Sequence, residues 1–156
     1  MNNIYKFIIS IGICQLTGVI SAIFTRSSVS SWYRTINKPF FNPPDWVFAP
    51  VWITLYFLIG ISAYLIWKNG FHSNSVKYAI LIFCVQLIFN FLWSISFFGM
   101  HSILGGLVII IMLWILILIT FFSFYQISYV SGLLLLPYIL WVSFAGILNY
   151  FIWKLN

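Results

Sequence analysis

The sequence predicts an all-α integral membrane protein, a bundle of five transmembrane helices with a structured loop between the first two. Of its 156 residues, 63% are hydrophobic and only 5% are charged, far from the balance of a soluble domain. The apolar stretches run for about 20 residues, enough for a helix to cross a bilayer, and do not alternate as barrel strands do. Four of the five prolines and the single acidic residue fall within residues 39–50. This one connection therefore differs from the rest of the chain.

The five apolar stretches are each predicted to form one span of a single membrane domain that covers residues 1–156. The first stretch is longer than a signal-peptide core and lacks a small-residue cleavage site, so it is predicted to be a retained helix. Pro137 lies early in the last stretch and is expected to interrupt that helix. The expected helices cover, approximately, residues 4–25, 45–67, 78–98, 103–124 and 129–153.

The connection between the first two spans interleaves aromatic residues with prolines. A loop of this length in so short a protein is usually functional or disordered, and the prolines favour a packed, restricted loop. Asp45 stands at its end and is predicted to be the N-cap of the second helix. A carboxylate there would accept unpaired backbone N–H groups and meet the positive end of the helix dipole, which explains Asp45 without any chemistry.

Small residues recur at every fourth position of the first span, at Ser10, Cys14, Gly18 and Ala22. Such a stripe allows another helix to approach closely. The partner is either a helix of the same chain or the same face of a second copy. Cys14 and Cys84 both lie inside predicted spans without a CxxC motif, so both are interpreted as small buried apolar residues.

The third span carries the most polar interior positions, because Gln86, Asn90 and Trp93 share one helical face. An amide without a partner costs several kcal/mol at membrane depth, so these side chains must face other helices, water or a ligand. Interhelical hydrogen bonding and the lining of a cavity both explain them. In the last span, the small Ala145 beside Trp141 leaves a slot of the kind that a flat apolar ligand needs.

Several function classes are disfavoured by what the sequence lacks. A single carboxylate excludes an acid/base dyad, and Asp45, His72 and His101 lack the spacing of a metal site. No glycine-rich phosphate loop follows a strand, and no inverted repeat favours a transporter. The net charge of +6 comes from scattered basic residues, which favours contact with lipid headgroups and no nucleic-acid partner. What remains is a membrane protein rich in aromatic surface.

Motifs in three separate segments, in a characteristic order, resemble one known family. They are Trp32-Tyr33, Lys38-Pro39, Pro43-Pro44-x-Trp46, Ala49-Pro50-Val51-Trp52 and Leu55-Tyr56; then Gln86-x3-Asn90-x2-Trp93-x3-Phe97-Phe98-Gly99; and finally Pro137-Tyr138-x2-Trp141-x2-Phe144-Ala145-x2-Leu148-Asn149-Tyr150-x2-Trp153. The chain resembles, over nearly its whole length, the tryptophan-rich sensory protein/translocator protein (TspO/MBR) family, also called the peripheral benzodiazepine receptor family.

The resemblance implies a multi-pass membrane protein, often a homodimer, whose first loop covers a pocket between the helices. It implies a receptor, sensor or carrier for porphyrin- and haem-type tetrapyrroles, benzodiazepine-site drugs and, in animal members, cholesterol. No cofactor or metal is required, and protoporphyrin IX or haem is the expected ligand. The alternative that it implies is a light- and oxygen-dependent degradation of protoporphyrin IX. A bacterial cell membrane is the expected location.

The resemblance also implies site residues. Trp52 and Trp141 would be the catalytic residues if porphyrin degradation occurs, and Arg34 or Lys38 is expected to pair with propionates. A weak sterol consensus is matched by Leu148, Tyr150 and Lys154. The expected ligand-binding residues are Tyr33, Pro43, Trp52, Tyr56, Gln86, Asn90, Trp93, Trp141, Ala145 and Leu148.

The chain departs from the family pattern at two places. Many members carry a basic residue where this chain has Asp45. The third helix of the family often carries a small-residue stripe for dimer contact, but here Ala79 is followed by the bulky Phe83 and Leu87. The dimer face is therefore left open between the first helix and the third.

Overall fold

The computed structural model describes residues 2–156, and within them it contains helices and no strand. Five segments are long and apolar enough to cross a membrane, which confirms the predicted five-span, all-α fold and makes the chain a multi-pass integral membrane protein. The helices are α1 (Asn3–Val29), α2 (Trp32–Thr35), α3 (Asp45–Trp67), α4 (Asn74–Ser94), a π-helical turn (Ile95–Gly99), α5 (Ile103–Ile127), α6 (Tyr129–Leu133) and α7 (Leu136–Leu155).

Two helix ends show how local chemistry sets the boundaries. Helix α1 continues past the expected end at residue 25, and the Ser30 and Ser31 hydroxyls donate to carbonyls of its last turn at 3.2 Å and 2.7 Å. The last span is divided into α6 and α7, and Pro137 occupies the first turn of α7. A proline is tolerated there because its missing N–H would have no helical partner, so the expected interruption lies just before Pro137.

The predicted N-cap role of Asp45 is wrong. Pro44 occupies the cap position, Asp45 is the first helical residue of α3, and no side chain caps this end. The Pro44 carbonyl accepts the first hydrogen bond of the helix, from the Val47 N–H at 3.0 Å, so the cap lies one residue before Asp45. Asp45 keeps a favourable position, since a carboxylate in the first turn meets the positive end of the helix dipole.

The spans pack in an order that brings α1 against α3, α4 against α5, and α5 against α7. Two glycines permit the close approach of α1 and α3. A Cβ on Gly18 would lie 2.5 Å from the Tyr56 ring, and one on Gly60 would lie 2.8 Å from the Ile11 Cα. The small-residue stripe of α1 therefore packs against α3 of the same chain at Gly18.

The π-helical turn after α4 changes which side chains face the core. The Met100 N–H donates to the Ile95 carbonyl at 2.7 Å, across five residues instead of four. Phe97 and Phe98, which lie within this turn, are both buried. The Ser28 hydroxyl at the end of α1 donates to the Phe98 carbonyl and joins the two segments.

The connection between α1 and α3 is an ordered structure that packs against the end of α7. The buried Tyr33 of α2 donates its hydroxyl to Asn42 at 2.6 Å. The Asn37 N–H donates to the side chain of Asn156 at 2.9 Å, and the Phe41 ring packs edge-on against Phe151 at 5.4 Å. The loop is thus attached both to α2 and to the C-terminal helix.

Candidate functional site: a membrane cavity between α1, α3 and α4

A cavity of about 570 Å³ opens between α1, α3 and α4, on the side where α2 joins the bundle. Its size lies within the range of about 300–1,000 Å³ that small-molecule pockets occupy. Helix α1 contributes small and apolar side chains such as Gly18, Val19 and Ala22, and α3 contributes Phe48 and Ala49. Helices α1 and α3 approach closely where Gly18 meets the Tyr56 ring, and both residues line the cavity.

Aromatic rings form the inner wall of the cavity. The Trp52 ring stacks on Tyr56 with a centroid distance of 5.5 Å and an angle of 29°, and it lies 6.3 Å from Trp93. Trp93 in turn stacks on Phe97 at 5.8 Å. The first three of these rings line the cavity. They offer the flat, polarisable surface on which another planar group can stack.

A chain of hydrogen bonds lies behind this aromatic wall and joins α3, α4 and α7. The Tyr56 hydroxyl donates to Asn90 at 2.5 Å, Asn90 donates to the Tyr138 oxygen at 2.8 Å, and the Tyr138 hydroxyl donates to Gln86 at 2.9 Å. Tyr56 and Asn90 also line the cavity, whereas Gln86 does not. Of the two explanations for the amides, interhelical hydrogen bonding therefore describes Gln86, and both describe Asn90.

The residues that the resemblance implied for ligand binding fall into two groups. Trp52, Tyr56, Asn90 and Trp93 line this cavity, together with Arg34 from the pair proposed for propionates. The others lie outside the lining: Tyr33, Lys38, Pro43, Gln86, Trp141, Ala145 and Leu148.

Trp141 lies close to the cavity without lining it. Its ring packs 6.1 Å from Phe48, which does line the cavity, and 5.5 Å from Phe144. The Trp141 indole N–H is buried without a hydrogen-bond partner among the described residues. Ala145 and Leu148 on the same helix belong to the packed core. Phe48 therefore lies between Trp141 and the cavity: it packs against the Trp141 ring and also lines the cavity.

The three residues of the sterol consensus are divided between two environments of α7. Leu148 is buried in the bundle core, whereas Tyr150 and Lys154 are exposed. Lys154 lies in the last turn of the helix.

Lys38 is engaged within the loop. Its ammonium group donates to the carbonyl of Tyr33 at 2.6 Å and to that of Ile36 at 3.2 Å, and it lies 4.8 Å from the Tyr33 ring centre. Burial raises the pKa of the Tyr33 phenol above its usual value, and the negative charge of Asp45 raises it further. Tyr33 therefore remains protonated at neutral pH, as its donation to Asn42 requires.

Sequence reasoning missed the contribution of α1 to the lining, which includes the polar side chains of Gln15, Thr25 and Arg26. The Thr25 and Ser94 hydroxyls are 2.9 Å apart and join α1 to α4 inside the cavity. The small-residue stripe of α1 was the only sequence signal on this face, and it indicated packing. Among residues 2–156, no group of three or more His, Cys, Asp or Glu side chains could hold a metal ion.

Five spans enclosing a cavity with an aromatic wall define the class: a multi-pass membrane protein with an intramembrane pocket of small-ligand size. The chain belongs to the TspO/MBR family, whose model matches residues 10–154. It is 48% identical to the tryptophan-rich protein TspO of Archaeoglobus fulgidus over 99% of both chains. It is 44% identical to the protein of that name from Chlorobaculum tepidum, over 94% of this chain and 92% of the relative. It is also 35% identical to the translocator protein of Bos taurus, over 91% of this chain and 85% of that one.

Proposed function

We propose that the protein is a membrane receptor, sensor or carrier that binds flat apolar ligands, porphyrin- and haem-type tetrapyrroles above all, in the cavity between α1, α3 and α4. The names of its relatives, tryptophan-rich protein TspO and translocator protein, agree with a sensory or translocating role. Benzodiazepine-site drugs and sterols are the other candidate ligands, and protoporphyrin IX or haem binds as ligand and not as a resident cofactor.

The observation that carries the proposal is the aromatic wall formed by Trp52, Tyr56 and Trp93. A planar macrocycle can stack on these rings while the small side chains of α1 leave room on its other face. Asn90 is 2% exposed, and its side chain is hydrogen-bonded to the hydroxyls of Tyr56 and Tyr138 behind the wall. The wall is therefore held in position before any ligand arrives, which reduces the entropic cost of binding.

The test is a titration of protoporphyrin IX into the purified protein, followed through the absorption spectrum of the porphyrin. An Ala22→Phe variant places a ring in the cavity and should abolish saturable binding. A Val108→Phe variant adds the same ring on the exposed face of α5, away from the cavity, and should bind as the wild type does. Equal binding by both variants would refute this location, and no binding by the wild type would refute the function.

A second candidate function is the light- and oxygen-dependent degradation of bound protoporphyrin IX. The observation that favours it is the position of Trp52 on the cavity wall, in ring contact with Tyr56 and Trp93, where it can act as a redox partner. Illumination of the complex in air decides between binding and degradation. A product spectrum identical to that of free porphyrin in detergent removes the enzymatic function, and loss of the reaction in Trp52→Phe supports it.

We further propose that the protein forms a homodimer through α1 or α4, because both present exposed apolar side chains away from the bundle. Cys14 is buried as expected, but the interpretation of Cys84 as buried is wrong, because it is exposed on α4. Oxidative crosslinking in the membrane should link two copies through Cys84 if α4 is the dimer face. A monomeric mass in mild detergent without any crosslink would refute the dimer.

A further inference from the structure

One buried hydroxyl group in the cavity lining lacks a hydrogen-bond partner. Ser21 of α1 is only 7% exposed and lines the cavity, and its hydroxyl oxygen has no partner within residues 2–156. The nearby Tyr56 hydroxyl donates its proton to Asn90 and not to Ser21. A buried hydroxyl without a hydrogen bond costs free energy, above all at membrane depth, where bulk water does not reach it. Helix packing therefore leaves the Ser21 side chain unexplained.

Several other hydroxyl groups on the spans avoid this cost by donating to a carbonyl of their own helix. The acceptor is the carbonyl four residues earlier, at 3.0 Å for Thr17, 3.1 Å for Thr25 and 2.8 Å for both Thr120 and Ser143. This local bond is a common one for serine and threonine inside helices. The Ser21 hydroxyl does not form it, so its proton remains free for a group inside the cavity.

Two further hydroxyl groups lie beside Ser21 on facing helices. Thr25 of α1 and Ser94 of α4 both line the cavity, and their hydroxyl oxygens are 2.9 Å apart. These oxygens also lie 3.1 Å and 3.2 Å, respectively, from the Ser21 carbonyl oxygen. Ser94 directly follows Trp93 in sequence. The three hydroxyl groups are thus grouped around one peptide unit of α1, next to the aromatic wall.

The number of available protons determines what these hydroxyl groups can bind. The protons of Thr25 and Ser94 are shared between their two oxygens and the Ser21 carbonyl, so this pair offers lone pairs and no free proton. The Ser21 hydroxyl adds one free donor. A ligand hydroxyl both donates and accepts, so it can accept from Ser21 and donate to Thr25 or Ser94. A methyl or methylene group in the same place satisfies neither.

We propose that Ser21, Thr25 and Ser94 form a neutral hydrogen-bonding subsite inside the cavity, which selects flat apolar ligands that carry an aliphatic hydroxyl group over otherwise identical ligands without it. The inference rests on the proposed function, since it concerns the same cavity. The subsite contains no charged side chain, so its contribution comes from hydrogen bonds and not from ion pairing. A ring system stacked on the aromatic wall would bring a hydroxyl group at its edge against α1.

The experiment compares haematoporphyrin IX with mesoporphyrin IX in phosphatidylcholine nanodiscs that contain the full chain. The two porphyrins share one macrocycle and the same carboxylates, and they differ only in the hydroxyl groups on the two-carbon arms of haematoporphyrin. Each dissociation constant is corrected for partition of the porphyrin into nanodiscs without protein. The wild type should bind haematoporphyrin about fivefold more tightly, as expected for one net hydrogen bond.

Variants of the subsite should lose this preference. Ser21→Ala should reduce it by about threefold or more, because it removes the free donor, and Thr25→Val should also reduce it, because it removes an acceptor. Thr17→Val is the matched control. It makes the same change on the same helix, outside the lining of this cavity, where the hydroxyl donates to the Ile13 carbonyl. It should leave the preference unchanged.

Binding of mesoporphyrin IX reports whether each variant is folded, since it requires the aromatic wall and no hydroxyl partner. Equal affinity of the wild type for both porphyrins overturns the inference and leaves the proposed function standing. The same preference in the wild type, Ser21→Ala and Thr25→Val has the same consequence. If neither porphyrin binds the wild type saturably, the proposed function and the inference are both wrong.

Discussion

Trp52 and Trp141 share a residue type but occupy different positions relative to the cavity. Trp52 lines it and stacks on Tyr56, whereas Trp141 lies outside the lining and packs against Phe48, which does line it. A ligand that stacks on the wall should therefore depend on Trp52 directly and on Trp141 only through the orientation of Phe48. The resemblance alone assigns both tryptophans the same role.

Trp52→Phe should weaken protoporphyrin IX binding by about 1 kcal/mol, or about fivefold, because the indole contributes more stacking surface than a phenyl ring. Trp141→Phe should change the affinity less than about twofold on the same scale. Affinity is measured from the porphyrin absorbance, since tryptophan emission differs between the variants. A larger loss in Trp141→Phe would show that the ligand occupies another site.

Among the elements, the loop between α2 and α3 leads directly into α3, because Pro44 at its end is the N-cap residue of that helix. Pro43 and Pro44 do not line the cavity, but Pro44 occupies the N-cap position of α3, and the first turns of α3 contribute Asp45, Phe48 and Ala49 to the cavity lining. The direction in which α3 begins thus fixes one side of the cavity. The proline pair restricts the chain immediately before this point.

Replacement of both Pro43 and Pro44 by alanine should therefore speed ligand release about fivefold, because each proline restricts the loop by about 0.4–1 kcal/mol. The midpoint of thermal unfolding should change by less than about 4 °C, since the spans keep their packing. Pro39→Ala is the control, because it lies in the same loop but farther from α3. A fall in thermal stability that matches the faster release would assign the pair a structural role only.

At the scale of the whole molecule, the approach of α1 to α3 determines both the stability of the bundle and the shape of the cavity. A Cβ on Gly60 would meet the backbone of Ile11 at 2.8 Å, and backbone cannot rotate away as a side chain can. The Gln15 side chain donates to the Ile53 carbonyl at 3.0 Å and joins the same two helices beside the cavity. Displacement of α1 would therefore alter the cavity as well.

Gly60→Ala should destabilise the protein by about 1–3 kcal/mol, since the added methyl group forces α1 away from α3. Gly12→Ala is the matched control, because a Cβ there meets nothing within 4 Å. It should be neutral or stabilising by up to about 1 kcal/mol through helix propensity. Thermal unfolding followed by circular dichroism measures both, and equal effects would show that the close contact is not what Gly60 provides.

Local sequence patterns predict the five spans, the start of α3 at Asp45, the interruption near Pro137 and the buried face of α4 that carries Gln86, Asn90 and Trp93. These features follow from local properties: the length of an apolar run, the restricted backbone of proline and the spacing of side chains on one helix. The motifs also indicated the family, because three ordered segments rarely agree by chance.

Local patterns do not predict which helices meet, and therefore which side chains share a cavity; these depend on tertiary packing. Arg26 of α1 and Asp45 of α3 are distant in sequence, and their common position in the cavity lining depends on the crossing of α1 and α3 at Gly18. The π-helical turn at Ile95–Gly99, which contains the buried Phe97 and Phe98, was likewise not predicted from the sequence. Helical periodicity fixes the faces within one helix, whereas the pairing of faces depends on the packing of the whole bundle.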